Sequence, residues 1–406
     1  MAGLTEDELA ERSGSTAEHV RRFAALGILS AGADGSYRPP DIQRVRIAEA
    51  LDGAGVSPEQ VGELIADGRY STGWADGLFP DPVPLTAMTV EQAAAELGLP
   101  ASLITRLFIS WALPVPGPED RLREDDLMLL RTMVLVYRAL GNDEGSTVAA
   151  ARVFGESLRR IAEGQLEIFR TFVERPMIAS GMPHHRVMDA AAAMAQPMAD
   201  QAELAVRLLH RRHLEHYSVE EIVENTEITL ERAGVAPRRP VAPPAIAFLD
   251  LSGFTRLTEE EGDERAADLA TRLADLVQAT ATRFRGRPVK YLGDGVMFHF
   301  PDPAGSVSCG LDLIRDAPAA GLPPARVGIN VGPVIFRDGD YFGRTVNIAA
   351  RVADRAGPGQ ILVTDDVVIA AKGSAEFREV GPMELKGVAG PVLVHEAVRA
   401  TEPPAA

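Results

Sequence analysis

The chain has 406 residues, enough for two or three domains that each bury a hydrophobic core. Its net charge of −17 argues against a general nucleic-acid binder, because nothing overall offsets phosphate repulsion, although a local basic surface stays open. The single cysteine, Cys309, excludes an intrachain disulfide and indicates a reducing compartment, and its apolar surroundings predict a buried thiol. The N-terminus lacks a signal-peptide pattern and no run reaches about 18 apolar residues, so we expect a cytoplasmic protein without a membrane span.

An internal repeat with a spacing of about 84 residues comes first along the chain. Residues 4–23 recur as residues 88–107, and each copy reads as a helix, a Gly-containing turn and a second helix. The first copy, together with the Gly-x-Tyr-Arg stretch at residues 35–38, resembles the DNA-binding helix-turn-helix of the MerR family. The second copy is degenerate, because Arg106 is the only charge on its apolar second helix. We therefore expect the repeat to serve packing or dimerisation rather than DNA binding.

Helical periodicity continues through the first half and predicts an all-α region. A stretch rich in Gly, Asp and Pro at residues 73–84 reads as a connection, and the four prolines within residues 235–244 exclude regular structure there. The predicted organisation is a helix-turn-helix-like unit over 1–72, a helical unit with the degenerate repeat over 85–233, a Pro-rich linker over 234–243 and a C-terminal domain over 244–400.

After the linker, short β runs alternate with helical patterns. The predicted elements are a strand at 246–251, a helix at 263–284, strands at 289–292 and 296–300, a helix at 306–314, a strand at 325–331, a helix at 346–355 and a strand at 360–364. The two strands at 289–300 are joined by Gly293-Asp294-Gly295, which is typical of a hairpin. This order predicts an α+β fold with one mixed sheet.

Two carboxylates stand where these strands end. Asp250 follows the first predicted strand and Asp294 lies at the hairpin tip, and each alone has an ordinary explanation as a helix cap or a turn residue. Together they could hold two Mg²⁺ or Mn²⁺ ions, which prefer oxygen ligands and serve phosphoryl transfer. Gly253, Phe254 and Thr255 suit a tight turn into a helix whose backbone amides approach phosphates.

A third motif lies on the predicted helix at 346–355. Asn347 and Arg351 are four residues apart and therefore lie on one helix face. An arginine there could reach a triphosphate with its planar, permanently charged fork. The alternative is a solvated polar face of the helix.

Together these motifs resemble the catalytic domain of the class III adenylate and guanylate cyclases, over about 155 residues from 244 to 399. The resemblance implies a ferredoxin-like βαββαβ domain in which Asp250 and Asp294 bind two divalent cations, with the Leu251 backbone carbonyl as a further ligand. It also implies that Lys290 and Asp340 recognise adenine. Guanylate cyclases usually carry Glu and Cys at this pair, so Lys290 with Asp340 favours ATP.

The family's mechanism implies that Asn347 positions the ribose and Arg351 stabilises the transition state. In the family the site forms between two catalytic domains, one supplying the aspartates and the other the Asn–Arg helix and the base-reading pair. This chain carries both halves, so the resemblance implies a head-to-tail homodimer. The short connection between residues 332 and 340 resembles that of the bacterial subgroup with a shortened dimerisation arm.

The first half, residues 1–230, diffusely resembles the regulatory half of actinobacterial cyclases that are switched by pH. Five of the eight histidines fall within 33 residues of it, namely His184, His185, His210, His213 and His216. Protonation of such a cluster could change how the two halves dock. A solvated basic helix is the alternative, and a metal site is disfavoured because Arg211 and Arg212 would repel a cation. The pattern leaves open whether a lipid or small molecule binds this region.

Two other functions were weighed against an adenylate cyclase. One is a guanylate cyclase, and the other is a DNA-binding regulator whose cyclase-like domain only senses nucleotides. The complete set of catalytic residue types argues against a purely sensory domain, which has no need of Arg351 or of both aspartates.

Overall fold

The computed structural model describes residues 3–235, 242–337 and 339–399. The chain divides into two compact units, Met1–Ile228 and Thr229–Ala406. Residues 236–241 of the predicted linker lie outside the described residues, and the predicted domain limits stay predictions.

The first unit is helical, as predicted, and its longest helix extends past Ile228. Its helices are α1 Glu6–Ser13, α2 Ala17–Ala25, α3 Asp41–Gly53, α4 Pro58–Ala66, α5 Trp74–Leu78, α6 Val90–Leu97, α7 Ala101–Ser110, α8 Glu124–Ala139, α9 Glu144–Phe169, α10 Arg175–Ala179 and α11 His184–Arg232, with a π-helical turn at Arg170–Glu174.

The first unit is nevertheless not all-α. β1 (Leu85–Thr89) and β2 (Arg121–Arg123) pair as a small antiparallel sheet, reinforced by a 2.9 Å hydrogen bond from the Thr86 hydroxyl to the Leu122 carbonyl. Strands this short show no periodicity in the sequence, so helical patterning on both sides hid them. The predicted connection at residues 73–84 likewise contains α5, whose residue Trp74 is buried.

The two copies of the repeat have the same local structure. α1 and α6 both begin with a capping box, formed by Thr5 and Thr89, and both end at a left-handed glycine, Gly14 or Gly98. Each is followed by its second helix, α2 or α7, so both copies have the helix-turn-helix layout. The resemblance of the first copy to the MerR family stays a prediction.

The apolar second helix of the degenerate copy is a core element. α7 buries Leu103, Ile104 and Leu107 completely and packs against α9. At Gly155 of α9 an added Cβ would lie 2.2 Å from the Ser110 carbonyl oxygen, so the two helices are in backbone contact. This placement agrees with a packing role for the second copy.

The second unit is built on a seven-stranded mixed sheet of order β10-β11-β9-β6-β3-β5-β4. Its elements are β3 Ala245–Leu251, α12 Phe254–Glu261, α13 Asp263–Arg283, β4 Arg287–Leu292, β5 Gly295–Phe300, α14 Pro303–Asp316, β6 Ala325–Val331, β7 Ile335–Arg337, β8 Asp340–Phe342, α15 Arg344–Arg355, β9 Ile361–Thr364, α16 Asp365–Ala370, β10 Glu376–Met383 and β11 Val392–Val398. In the stretch β6-β3-β5-β4 each strand is antiparallel to its neighbours, which is the ferredoxin-like order, and β9 joins β6 in parallel. The predicted fold class is confirmed.

Alternation along the central strand β3 assigns its side chains to two layers. Ala247, Leu249 and Leu251 lie in the main core with residues of α13 and α14, including Cys309. Burial raises the pKa of the Cys309 thiol to about 12, so the prediction of a buried thiol is confirmed. Ile246 packs on the opposite face with Ala349 of α15. Asp250 shares the parity of Ile246 and therefore projects to the α15 face.

α15 lies directly on the sheet because Gly328 of β6 has no side chain. An added Cβ at Gly328 would lie 2.1 Å from the Ala353 backbone nitrogen.

No single helix among the described residues is long and apolar enough to cross a membrane. The pair formed by α6 and α7, bent by 109°, passes that test jointly by length and composition.

Candidate active site

Asp250 is the first charged side chain of the site and is held by an arginine. Its cross-strand neighbours are Gly295 on β5 and Arg326 on β6. Arg326 donates to Asp250 Oδ2 from Nε at 2.8 Å and also from Nη2. Both side chains are about 30% exposed, so this ion pair lies at an accessible edge of the sheet.

Asp294 lies beside Asp250. It precedes Gly295, the cross-strand partner of Asp250, in the tight turn between β4 and β5. Burial raises the pKa of Asp294 above its ordinary value, and the negative charge of Asp250 raises it further, while Arg326 opposes both effects. A carboxylate whose ionisation is opposed by burial and by a neighbouring negative charge would be stabilised by a bound cation.

The pair fits a hard divalent cation. Both hydrogen bonds from Arg326 go to Oδ2 of Asp250, and Gly295 leaves room beside Oδ1, since an added Cβ there would approach it to 3.6 Å. Within the described residues, no group of three or more His, Cys, Asp and Glu side chains is arranged to hold a metal ion. Mg²⁺ commonly binds one or two carboxylates and takes its remaining ligands from water and substrate phosphates. The two carboxylates therefore fit an ion that takes its other ligands from water and from the substrate.

Asn347 and Arg351 are both exposed on α15 and line one groove with Asp250 and Arg326. The groove has a volume of about 490 Å³. Arg351 Nη1 donates to Asp354 Oδ2 at 2.9 Å within the same helix. The groove thus brings Asp250, a predicted metal ligand, and the predicted substrate-binding residues Asn347 and Arg351 to one surface of a single chain.

The sequence did not identify three charged residues at this groove. Arg326 pairs with Asp250, Asp354 pairs with Arg351, and Lys386 lines the groove from the loop between β10 and β11. The signal for Arg326 lies in strand register, because it is 76 residues from Asp250 along the chain. No local pattern pointed to Lys386.

Lys290 and Asp340 form an ion pair between β4 and β8. The Lys290 ammonium donates to Asp340 Oδ2, and the Tyr341 backbone N–H donates to Asp340 Oδ1 at 2.8 Å. The two residues are 50 apart in sequence, yet the structure joins them as a unit. Neither is among the residues described as lining the groove of Asp250 and Arg351.

The turn after β3 leads directly into a helix, as predicted, and its role towards phosphates stays a prediction. Gly253 has a φ of 80°, which favours glycine, and α12 begins directly after it at Phe254, with Thr255 next. The cap position contributes no side-chain hydrogen bond, so the first backbone N–H groups of α12 are not capped from it. Leu251 is buried at the end of β3.

The predicted regulatory histidines lie on α11, within the first unit. His184 is exposed at its first turn, His185 is half-buried, and His210, His213 and His216 are exposed. The rings of His213 and His216 lie 6.2 and 5.3 Å from the ring of Tyr217.

Known proteins show the same combination of regions. Residues 238–396 match the adenylate and guanylate cyclase catalytic domain family. An uncharacterized protein of Mycobacterium tuberculosis is 30% identical over 378 residues, which cover 87% of this chain and 90% of the relative. An adenylate cyclase of Streptomyces coelicolor is 32% identical over 281 residues, covering 67% of this chain and 68% of the relative.

Two further comparisons were found. A pH-sensitive adenylate cyclase of Mycobacterium tuberculosis is 28% identical over 374 residues, which cover 88% of each chain. Among solved structures, the adenylyl cyclase CyaB of Pseudomonas aeruginosa is 26% identical, covers 40% of this chain and 96% of its own, and has a TM-score of 0.37. The sequence similarities extend well beyond residues 238–396 into the helical unit. Because of the family match and these similarities, we conclude that the chain belongs to the class III adenylate and guanylate cyclase family.

Proposed function

We propose that the chain is an adenylate cyclase that converts ATP to 3′,5′-cyclic AMP and pyrophosphate. The observation that carries the proposal is that each chain carries two sets of side chains, Asp250 with Asp294 beside it, and Asn347 with Arg351 on α15. Acidic ion ligands and a guanidinium that meet across two copies suit a polyanionic substrate that arrives with divalent cations.

Asp250 and Asp294, with the Leu251 carbonyl, would hold two Mg²⁺ or Mn²⁺ ions. Such ions lower the pKa of the ribose 3′-hydroxyl and neutralise the triphosphate. Arg326 remains beside Asp250 and keeps the local charge balanced when the carboxylates are ionised.

The chain's other residues orient the substrate. Asn347 hydrogen-bonds the ribose, and the amides at Gly253 to Thr255 approach phosphate oxygens. The 3′-oxygen loses its proton and bonds to the α-phosphorus, and the bond from that phosphorus to the bridging oxygen breaks as pyrophosphate leaves. Arg351 balances the charge that develops on the α-phosphoryl group.

The base-reading pair favours ATP over GTP. Lys290 and Asp340 are joined by an ion pair, so an ammonium donor and a carboxylate acceptor stand side by side. Adenine offers ring-nitrogen acceptors and an exocyclic amino donor, which match these two groups. A guanylate cyclase is the second candidate, and GTP is therefore the control substrate.

We place the working site at the interface of a head-to-tail homodimer. The hairpin β7–β8 exposes Ile335, Phe336 and Phe342, an apolar surface that a second copy would cover. Within one chain Arg351 is engaged by Asp354 and Asp250 by Arg326, so neither is directed at the other. In the dimer, the aspartates of one copy meet the α15 face of its partner.

We further propose that the helical unit regulates the activity in response to pH. The support is the group of exposed histidines on α11 and the similarity, over 88% of this chain, to a relative named a pH-sensitive adenylate cyclase. Histidine is the side chain whose ordinary protonation change falls nearest neutrality, and five of them lie on this one helix.

Incubation of the full chain with Mn²⁺ and either ATP or GTP tests the substrate. We expect cyclic AMP from ATP, and a kcat/KM for GTP lower by at least about tenfold because the base-reading pair is mismatched. Asp294→Asn and Arg351→Ala should each reduce turnover by about a hundredfold or more. Comparable turnover of GTP would favour the guanylate cyclase, and no cyclic product from either would refute both.

Mixing Asp250→Ala and Arg351→Ala chains tests the dimer. Each variant alone is inactive, but a heterodimer has one site with both groups intact, so activity should return to about a quarter to a half of the wild-type value. Verified heterodimers without activity would show that each site belongs to one chain.

A further inference from the structure

One ring of a stacked pair belongs to Tyr341, the chain neighbour of Asp340 in the base-reading pair. The ring of Tyr341 on β8 stacks on that of His299 on β5, with centroids 4.4 Å apart and planes inclined by 9°. Phe336, the cross-strand partner of Tyr341 in the hairpin, lies on it at 4.9 Å. We call these three residues the aromatic anchor.

The aromatic anchor connects a small hairpin to the main sheet. β7 and β8 have three residues each, and an isolated two-stranded hairpin is marginally stable in water. Tyr341 is the buried member of β8, at 9% exposure, and it packs into an apolar cluster with Ile246, Met297 and Ala349. The position of the hairpin therefore depends on how Tyr341 is seated.

The position of Asp340 depends on that of Tyr341. The two are adjacent, and the Tyr341 backbone N–H donates to one carboxylate oxygen of Asp340 while Lys290 donates to the other. The ion pair is partly exposed and contributes little to holding the hairpin in place by itself. Any displacement of Tyr341 moves the acceptor that faces the base.

His299 is suited to be a flat surface rather than a charged group. It is 8% exposed, and its Nδ1 has no hydrogen-bond partner among the described residues. Burial, with a smaller effect from the nearby Arg287 charge, lowers the pKa of His299 to about 4, so the ring is neutral near pH 7. Arg287, its cross-strand partner, donates to the Tyr341 hydroxyl at 3.3 Å and tethers the other end of the stack.

We infer that His299 is a positioning residue for base selection. Its ring fixes Tyr341, Tyr341 fixes Asp340 against Lys290, and the orientation of that pair sets the preference between adenine and guanine. The inference rests on the proposed cyclase function and assigns specificity to a buried residue that does not contact the nucleotide.

Steady-state kinetics of the full chain with Mn²⁺ and ATP or GTP test the inference. The informative variants are His299→Leu and His299→Val, which remove the ring, and His299→Phe, which retains it. Without the ring we expect KM for ATP to rise, and the ATP-to-GTP ratio of kcat/KM to fall, by about tenfold, corresponding to about 1.4 kcal/mol, with kcat within about twofold. His299→Phe should keep the ratio within about twofold of the wild-type value.

Phe298→Leu is the matched control. Phe298 is also buried on β5, but its side chain lies in the main core on the opposite face of the sheet. It should lower stability without changing the ratio. Hydrogen exchange across residues 335–342 should speed up in His299→Leu and His299→Val and stay unchanged in Phe298→Leu. The inference fails if all the variants keep the wild-type ratio, or if loss of the ring lowers kcat alone.

The outcomes separate the inference from the proposed function. A wild-type chain that makes no cyclic AMP refutes the proposed function, and with it the role in base selection. A wild-type chain that prefers ATP, with unaltered preference and hydrogen exchange in the ring-deleted variants, refutes only the role of His299.

Discussion

The charged residues assigned to the substrate already have partners within the chain. Asp250 is paired with Arg326, Arg351 with Asp354, and Lys290 with Asp340. All three pairs are partly exposed, and such pairs are worth about 0–1 kcal/mol each. Exchange of a partner for a phosphate or a metal ion therefore costs little free energy, while the pairs hold the side chains near their working positions.

Because His299 is buried, we expect the second unit to lose stability in acid. The unfolded chain binds a proton at this histidine near pH 6.5, whereas the folded chain binds it only near pH 4, so stability falls as the pH drops through this window. We expect the free energy of unfolding to lose about 2 to 3 kcal/mol from this residue between neutral pH and about pH 4.5. In His299→Phe that component should be missing.

Urea unfolding monitored by hydrogen exchange of the β3–β5 peptides measures this effect. Fluorescence is unsuitable because both tryptophans, Trp74 and Trp111, lie in the first unit. Equal pH dependence in the wild type and the variant would contradict the prediction.

At the level of elements, the contact between α15 and β6 decides whether Asn347 and Arg351 reach the site. Register places Gly328 opposite Phe248 and Arg326 opposite Asp250. Gly328 and Arg326 are two residues apart on β6 and therefore share one face of the sheet. The missing side chain at Gly328 lets α15 lie on that face, so the helix presents its polar face beside the aspartate.

Gly328→Ala should displace α15. The added methyl group would meet the Ala353 backbone, which cannot rotate away, so we expect a loss of about 1–3 kcal/mol in stability and a larger loss of turnover. Thermal unfolding and cyclisation rates measure the two effects.

Gly310→Ala on α14 is the matched control. Its added methyl group would meet side chains and no backbone, with the end of Ile361 nearest at 3.3 Å, and should be neutral or stabilise by up to about 1 kcal/mol. Equal behaviour of the two variants would show that α15 is not held by backbone contact.

At the scale of the whole molecule, the chain divides into a helical unit and a cyclase-family unit, and the division falls within one long helix. α11 has 49 residues, begins with His184 and ends shortly before residues 236–241. Its histidines are the titratable groups that the proposed pH response requires.

Replacing His210, His213 and His216 together by Gln should flatten the activity of the full chain between about pH 5 and pH 8, because this removes three of the five histidines of α11 that are proposed to carry the response. Rates of cyclic AMP formation across this range provide the measurement. The same change at His19, elsewhere in the helical unit, is the control and should leave the profile intact. A profile that is unaltered by the triple change would exclude these histidines as the sensor.

The sequence by itself selected the candidate site residues. Strand ends, a hairpin tip and an i, i+4 helix face are local patterns, so Asp250, Asp294, Asn347 and Arg351 could be selected before any fold was known. The repeat, the mixed sheet and the buried Cys309 also follow from local periodicity and composition, while the ferredoxin-like order came from the family resemblance, and the structure agrees with all four.

Only the tertiary structure decided which of these residues have partners. Arg326 meets Asp250 across 76 residues, and His299 meets Tyr341 across two separate sheets. Such pairs depend on strand register and on the seating of a hairpin, which are settled by packing of the whole core rather than by neighbours in the chain. The short β1–β2 sheet escaped prediction for the same reason, since its stability comes from pairing and not from local pattern.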